Sequence, residues 1–389
     1  MLICSACRKI FEATFNVMCP YCGAHSRSGY DFSSGDEYLS ENIPLVLEER
    51  KKVGLDRLVG GLECVILNTE PRYLKAVVGE LLAITGFEYR EGYEDDSTMT
   101  CVLGTAGSAD ILVRSRKGSI YNPFTPFNIY PKSANMPNTR VETYVFGTPD
   151  IEEYVAIQKS RGVSFLSDLI TYTDSYSFIQ TVPSPYTGNS IGFIEWKDER
   201  GRYCSPPAQP FTMKIAKPDR PYLVNIGHLD HAATRVKAEE RNTAIIEFMI
   251  LTDYVFSFAI FVKSLNSITS VTRLDGEEFA MVFTSGKSMY SGDEVSGPTE
   301  KFIHNYGPRT HHLAFQTENI EAVYKGLRGD GVEFLIDLVG SLDEGLKQTF
   351  TVASEITLLV TEYIYRYGDF DGFFTKSNVI ELTRATGKQ

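Results

Sequence analysis

Along the chain, apolar and polar positions switch between the two-residue period of a strand and the longer period of a helix, and they do so in the same order twice. From Gly54 to about Lys217, and again from Pro221 to the end, a strand with alternating residues leads into a helix, several strands, and then a strand-helix-strand passage. GGLECVILNT, starting at Gly60, opens the first copy, and GHLDHAATRV, starting at Gly227, opens the second. Further on, ETYVFGTPDIEEYVAIQKSRGVSFLSD and HHLAFQTENIEAVYKGLRGDGVEFLID align without a gap. They share Phe146/Phe315, Thr148/Thr317, Ile151/Ile320, Glu152/Glu321, Gly162/Gly331, Val163/Val332, Phe165/Phe334 and Leu166/Leu335. Such fixed internal similarity marks a duplicated architecture. In the second copy the pattern predicts a strand with His312, Ala314 and Gln316 on one face. A helix over Ile320–Arg328 follows, entered through Thr317-Glu318-Asn319, then Gly331 and a strand over Val332–Ile336. The apolar runs MVFTSG and TLLVTEYIY predict further strands.

A length of 389 residues, 43% of them hydrophobic and 23% charged, is that of an ordinary globular chain large enough for two or three domains. A net charge of −12 argues against a nucleic-acid-coating role. No apolar run approaches the roughly 18–20 residues of a membrane span. The first residues lack the basic start and apolar stretch of a signal peptide, so the expected location is the cytoplasm.

The seven cysteines are uneven: Cys4, Cys7, Cys19 and Cys22 crowd the start, while Cys64, Cys101 and Cys204 are scattered and read as small buried hydrophobes. Two Cys-x2-Cys turns separated by eleven residues supply a closed tetrahedron of four sulfurs. That shell leaves no open position, so the ion, expected to be zinc, holds the fold. Iron of the rubredoxin kind is the minor alternative. The expected division is a zinc ribbon over residues 1–28, a linker over 29–53 that begins in the polar stretch Ser26 to Glu41, and two larger domains over 54–217 and 221–389.

The candidate chemistry lies where the copies differ. Opposite His231 stands Cys64, and opposite His312 stands Thr143. Glu362, in TLLVTEYIYRYG, corresponds loosely to the GFIEWKDERG passage that contains Glu195. Two histidines and a carboxylate on separate strands of one copy could occupy one face of an octahedron and leave three positions free, as a non-haem Fe(II) oxygenase requires.

These residues and their flanks resemble 4-hydroxyphenylpyruvate dioxygenase and its relatives in the vicinal oxygen chelate superfamily. The resemblance rests on Leu229-Asp230-His231, on His311-His312-Leu313-Ala314-Phe315 and on Val360-Thr361-Glu362-Tyr363-Ile364 running to Gly368. Gly345-Leu346-Lys347-Gln348-Thr349-Phe350-Thr351, and Thr171-Tyr172-Thr173-Asp174-Ser175-Tyr176-Ser177-Phe178 in the first copy, extend it over both copies. It implies an α+β fold of paired βαβββ modules forming two half-barrels, with iron on His231, His312 and Glu362 of the C-terminal one. It also implies an aromatic α-keto acid and dioxygen as partners, oxidative decarboxylation with hydroxylation, and 4-hydroxyphenylpyruvate giving homogentisate in tyrosine catabolism. Gln348 is similar to a glutamine that hydrogen-bonds in the family's pocket. Phe374 matches a phenylalanine on its C-terminal helix, and Phe350 would line the same cavity.

Departures keep other readings open. His311 stands where the family has glutamine, and Met289-Tyr290-Ser291-Gly292-Asp293 replaces an expected segment. The double histidine also resembles extradiol ring-cleaving dioxygenases, and benzylic hydroxylation to a hydroxymandelate is a close variant. A non-catalytic ligand-binding protein whose ribbon recruits a partner is a third reading, and a homo-oligomer remains open. Alternation puts His311 on the face away from His312, in a packing or supporting role, and Tyr363, Tyr365 and Tyr367 opposite Glu362. Asp230 is a candidate support for His231; His228 and His304 read as surface or loop residues. Gly104-Thr105-Ala106-Gly107 lacks the lysine of a phosphate loop, and no hydrolase triad is visible.

Overall fold

The computed structural model describes residues 2–3, 10–11, 36–118, 121–197, 200–275, 278–368, 370 and 372–389. Two short antiparallel strands, β1 (Leu2–Ile3) and β2 (Ile10–Phe11), are followed by helix α1 (Glu37–Val53). Much of the stretch expected as linker is therefore helical. Leu39 and Val46 of α1 are buried, Arg50 pairs with Asp253, and Arg161 reaches Glu49 at 3.4 Å. These long-range partners, invisible to a local reading, dock a sequence of modest helical amphipathicity onto the body.

The first βαβββ module is β3 (Leu62–Thr69), α2 (Leu74–Ile84), β4 (Glu88–Glu94), β5 (Thr98–Gly104) and β6 (Asp110–Arg116). The second is β7 (Arg140–Gly147), α3 (Ile151–Ser160), β8 (Thr171–Tyr172), β9 (Tyr176–Gln180) and β10 (Ser190–Trp196). With the edge strand β11 (Gln209–Phe211) they form one nine-stranded sheet, joined where β3 runs antiparallel to β7.

The plan then repeats. The third module is β12 (Ile226–Arg235), α4 (Arg241–Leu251), β13 (Val255–Val262), β14 (Ser267–Arg273) and β15 (Ala280–Gly286). Helix α5 (Pro298–Tyr306) leads to the fourth: β16 (Arg309–Thr317), α6 (Ile320–Gly329), β17 (Val339–Ser341), β18 (Leu346–Phe350) and β19 (Val360–Arg366). These eight strands form the second half-barrel sheet, joined where β12 meets β16, and α7 (Lys376–Ala385) follows it. The strand expected over Val332–Ile336 is reduced to a single bridge, Phe334 with Thr351; the paired residues come later, in β17.

Alternation along the strands divides the interior into layers. Val65 and Leu67 of β3 point into a core shared with α2, α3, α4, α6 and the matching faces of β12, β16 and β19; Cys64 and Ile66 point into the first half-barrel. Across the shared core Phe146 lies edge-on to Phe248 (5.8 Å) and Tyr254 (5.3 Å), and Phe87 to Phe315 (5.7 Å). Tyr363 points away from Glu362, as its spacing predicts, and its hydroxyl donates to the Ile84 carbonyl at 2.7 Å. Gly86 passes so close to the other half that a Cβ there would meet the Ile226 carbonyl oxygen at 1.8 Å.

One core for both halves predicts one unfolding transition. Phe146→Ala should cost about 3–5 kcal/mol in urea unfolding, with both halves lost together; a loss below about 1 kcal/mol, or two separate transitions, contradicts the shared core.

Candidate metal centre

His231, His312 and Glu362 enter the concave face of the second half-barrel from three adjacent strands. β12 supplies His231, paired with Ala314; β16 supplies His312, paired with Ala233; and β19 supplies Glu362, paired with Ala314. One potential ligand atom from each lies within 4.8 Å of the others, and all three residues are buried. His231 Nε2 is 3.1 Å and His312 Nε2 3.3 Å from the same oxygen, Glu362 Oε2.

Each member is held from behind. His231 Nδ1 donates to Asp230 Oδ1 at 2.6 Å, and the Arg366 guanidinium donates to the same carboxylate at 3.1 Å. A register shift between Leu229 and His231 sets Asp230 beside its neighbour's ring. Gln348 Nε2 donates to Glu362 Oε1 at 2.6 Å, while Gln348 Oε1 accepts from Asn378 of α7 at 3.0 Å. Both ends of the Gln348 amide are thus engaged in fixing the carboxylate.

His311 does not turn away from His312. The ladder pairs Ala233 with His312 and Thr234 with Thr310, leaving His311 as the extra residue of a bulge, so strict alternation fails there. Its Nδ1 lies 2.9 Å from His312 Nδ1, and its Nε2 lies 2.9 Å from Gln389 Oε1. With His312 donating from Nδ1 and His311 donating from Nε2, both rings are neutral and His312 Nε2 keeps its lone pair for the site. The first half repeats the bulge at Glu142, which pairs there with Arg116 at 2.8 Å. The bulge is therefore a feature of the module.

The electrostatics agree with that assignment. Burial holds the His312 pKa well below its ordinary value, helped by its neighbours His311, His231 and Arg235; burial and Arg235 do the same to His311. Burial alone would lower His231 too, but the Glu362 charge and the hydrogen bonds to Asp230 and Glu362 overcome it and raise the ring to about 9. Burial works against the Asp230 carboxylate, yet the His231 bond and Arg366 hold its pKa well below the usual range. Protonated His231 therefore stabilises the metal-free fold below pH 6.5, and that contribution is lost as pH rises through about 9.

A cavity of about 50 Å3 adjoins the trio and is lined by His311, His312, Gln348, Phe350, Glu362 and Phe374, among others. Phe350 stands 4.9 Å from the His312 ring, and Phe374 and Phe373 stand 5.2 and 5.4 Å from the His231 ring. Phe374 is not on the C-terminal helix as the resemblance implies: it precedes Thr375, the residue that caps α7. Val379, Leu382 and Thr383 of α7 cover the cavity. Sequence reasoning missed Arg366 and Asn378; their roles come from pairing across strands and from α7, which no local pattern encodes.

The ladder also settles the equivalences. Cys64 and Thr143 occupy the positions of His231 and His312, and the counterpart of Glu362 is Gly192. Glu195 lies elsewhere, accepting from the Ile151 backbone N–H at the start of α3. In place of a trio, the first half-barrel is packed with Tyr93, Tyr203, Ile66 and Val145 around Cys64. His304 stacks on Tyr290 and takes no part in the centre. Cys4, Cys7, Cys19 and Cys22 lie outside the described residues.

No protein-family model matches the sequence, and no curated protein matches it. Solved structures do match. A triple mutant of 4-hydroxymandelate synthase from Streptomyces coelicolor superposes with a TM-score of 0.63 at 16% identity, over 85% of this chain and 98% of that one. A xylose isomerase-like TIM barrel/4-hydroxyphenylpyruvate dioxygenase fusion protein gives 0.56 at 12% identity, over 86% of this chain and 53% of that one. The likeness defines a class of architecture, paired βαβββ modules closed into half-barrels. More particularly, the fold is the duplicated vicinal-oxygen-chelate fold.

Two measurements test the centre. Because a metal must displace the proton on His231, divalent-metal affinity should rise about tenfold per pH unit from pH 6 and level off above about 9. Calorimetry in buffers of different ionisation enthalpy should show one proton released, and pH-independent affinity contradicts the assignment. Asp230→Asn should weaken metal binding about 10–100-fold, read by equilibrium dialysis; unchanged affinity removes Asp230 from the centre.

Proposed function

We propose that this chain is an Fe(II)-dependent dioxygenase that oxidatively decarboxylates an α-keto acid and hydroxylates it. An arylpyruvate is the first substrate to try, 4-hydroxyphenylpyruvate giving homogentisate. The observation that carries this reading is the convergence of His231, His312 and Glu362, all buried, beside a cavity. Donors on one face of an octahedron of radius about 2.1 Å are about 3 Å apart. The 3.1 and 3.3 Å separations from Glu362 Oε2 are of that size. Two neutral imidazoles and one carboxylate suit a ferrous ion. When bound, such an ion supplies the redox chemistry and the free positions for a chelating keto acid and dioxygen.

The chain's own residues supply placement and shielding. Asp230 with Arg366, and His311, fix the ring orientations of His231 and His312, and Gln348 occupies Glu362 Oε1 so that Oε2 faces the site. Phe350, Phe373 and Phe374 border the histidine rings with apolar surface, and Val379, Leu382 and Thr383 of α7 line the cavity on another side. His311 is engaged with His312 and Gln389, and that supporting role accounts for the double histidine without extradiol chemistry.

Zinc on Cys4, Cys7, Cys19 and Cys22 is part of the proposal. In its support, Leu2 pairs with Phe11 and Ile3 with Ile10, the two strands bracketing the first Cys-x2-Cys. Cys64, Cys101 and Cys204 are free thiols, as suits the reducing cytoplasm. Among the described residues no helix is long and apolar enough to cross a membrane.

Anaerobic Fe(II)-loaded protein mixed with 4-hydroxyphenylpyruvate should develop a visible charge-transfer band, and oxygen should then release carbon dioxide. Homogentisate marks ring hydroxylation and a hydroxymandelate marks benzylic hydroxylation. His312→Ala should lose band and turnover by more than about 100-fold. A yellow ring-opened product from catechols, with no carbon dioxide from keto acids, supports the extradiol reading instead. Bound iron without band or turnover supports a binding protein.

A further inference from the structure

The cavity beside the trio has a second polar end. Arg235, the last residue of β12, lines it together with Thr269, Thr284 and Thr299. The residue is 4% exposed, its Nη1 has no acceptor, and among the described residues the guanidinium has neither an acidic partner nor a hydrogen bond. The ring of Phe302 lies against it, 4.4 Å from the guanidinium carbon. Two other buried arginines differ. Arg140 donates to the Pro308 carbonyl at 3.1 Å, Arg309 donates to the Thr139 carbonyl at 2.8 Å, and neither lines this cavity.

A buried guanidinium without a counter-charge is costly, and an anion brought to it would offset that cost. Burial lowers the Arg235 pKa to about 9, which leaves it charged at neutral pH. His231, Ala233 and Arg235 alternate onto one face of β12, so Arg235 looks into the same half-barrel as the trio, about 13 Å further along the strand at its backbone. A neutral ring hydroxyl could accept one hydrogen bond there but would leave the charge unmatched. A carboxylate matches both the charge and the fork of donors.

We infer that Arg235 receives a second carboxylate, carried by the end of the α-keto acid substrate that lies away from His231, His312 and Glu362. The substrate class is then a keto diacid, either an aliphatic one or an arylpyruvate with a carboxylate on its ring. This rests on the keto-acid reading above for the other end of the substrate; the anion site itself rests on Arg235 and the cavity alone.

The test uses matched pairs on the full chain: 2-oxoadipate against 2-oxohexanoate, and 4-carboxyphenylpyruvate against phenylpyruvate. Titrations of the anaerobic Fe(II)-loaded protein by calorimetry and by the charge-transfer band should show at least one diacid binding about tenfold or more tighter than its monoacid. Arg235→Met should erase that preference, and Arg235→Lys should keep part of it. In metal-free protein, glutarate should raise the unfolding midpoint of the wild type and not of Arg235→Met. Without ligand the Arg235→Met midpoint should equal or exceed that of the wild type, because a lone buried charge has been removed. Equal affinity within both pairs, a preference that survives Arg235→Met, or a collapsed midpoint in that variant overturns the assignment. If no keto acid binds the loaded wild type but the glutarate shift appears and depends on Arg235, the dioxygenase reading fails and the anion site stands.

Discussion

Burying the Glu362 carboxylate is the constraint on which the centre is built. At 1% exposure its charge cannot be left to water, so the surrounding strands must bring partners to it. Two imidazoles face Oε2 and an amide faces Oε1. The demand then passes outward: His231 leans on Asp230, Asp230 on Arg366, and Gln348 on Asn378 of α7. In the metal-free chain the proton on His231 balances part of the charge, and a divalent ion would take that proton's place. The same trio that is costly as bare charge would become favourable as a ligand set.

Duplication explains how one half could take on this cost. Both halves share the strand order of the module pair, the same two bulges and a common core, so the scaffold is secured twice. In the first half the three positions are Cys64, Thr143 and Gly192, and aromatic packing around Cys64 fills the space. Burial in that setting pushes the Cys64 thiol up and keeps it neutral. The second half keeps instead a cavity, a polar trio and an arginine that has no acidic partner among the described residues. One half-barrel thus serves packing while its partner carries groups that packing alone would not retain.

The duplicated module plan was legible because its signals are local. Alternation placed His312, Ala314 and Gln316 on one face and Tyr363 opposite Glu362, and comparison of the two copies isolated His231 and His312 as exceptions. What stayed hidden depends on pairing. A bulge cannot be read from the strand that carries it, so His311 looked as if it faced away from His312. The loose match of Glu362 to Glu195 needed the ladder, which gives Gly192. Helix α1 draws its stability from Asp253 and Arg161, both far away in sequence, and a polar local composition disguised it as a linker. Arg235 is not legible as a site residue in the sequence, because an arginine at a strand end is ordinary; what sets it apart is packing that brings no acid to it among the described residues.

The central claim is that one divalent ion sits between His231, His312 and Glu362. Anomalous diffraction at the iron edge, from crystals loaded with Fe(II) without oxygen, tests it directly. A single strong peak about 2 Å from His231 Nε2, His312 Nε2 and a Glu362 oxygen is the predicted result. An iron peak elsewhere in the chain, or none in fully loaded crystals, would contradict it.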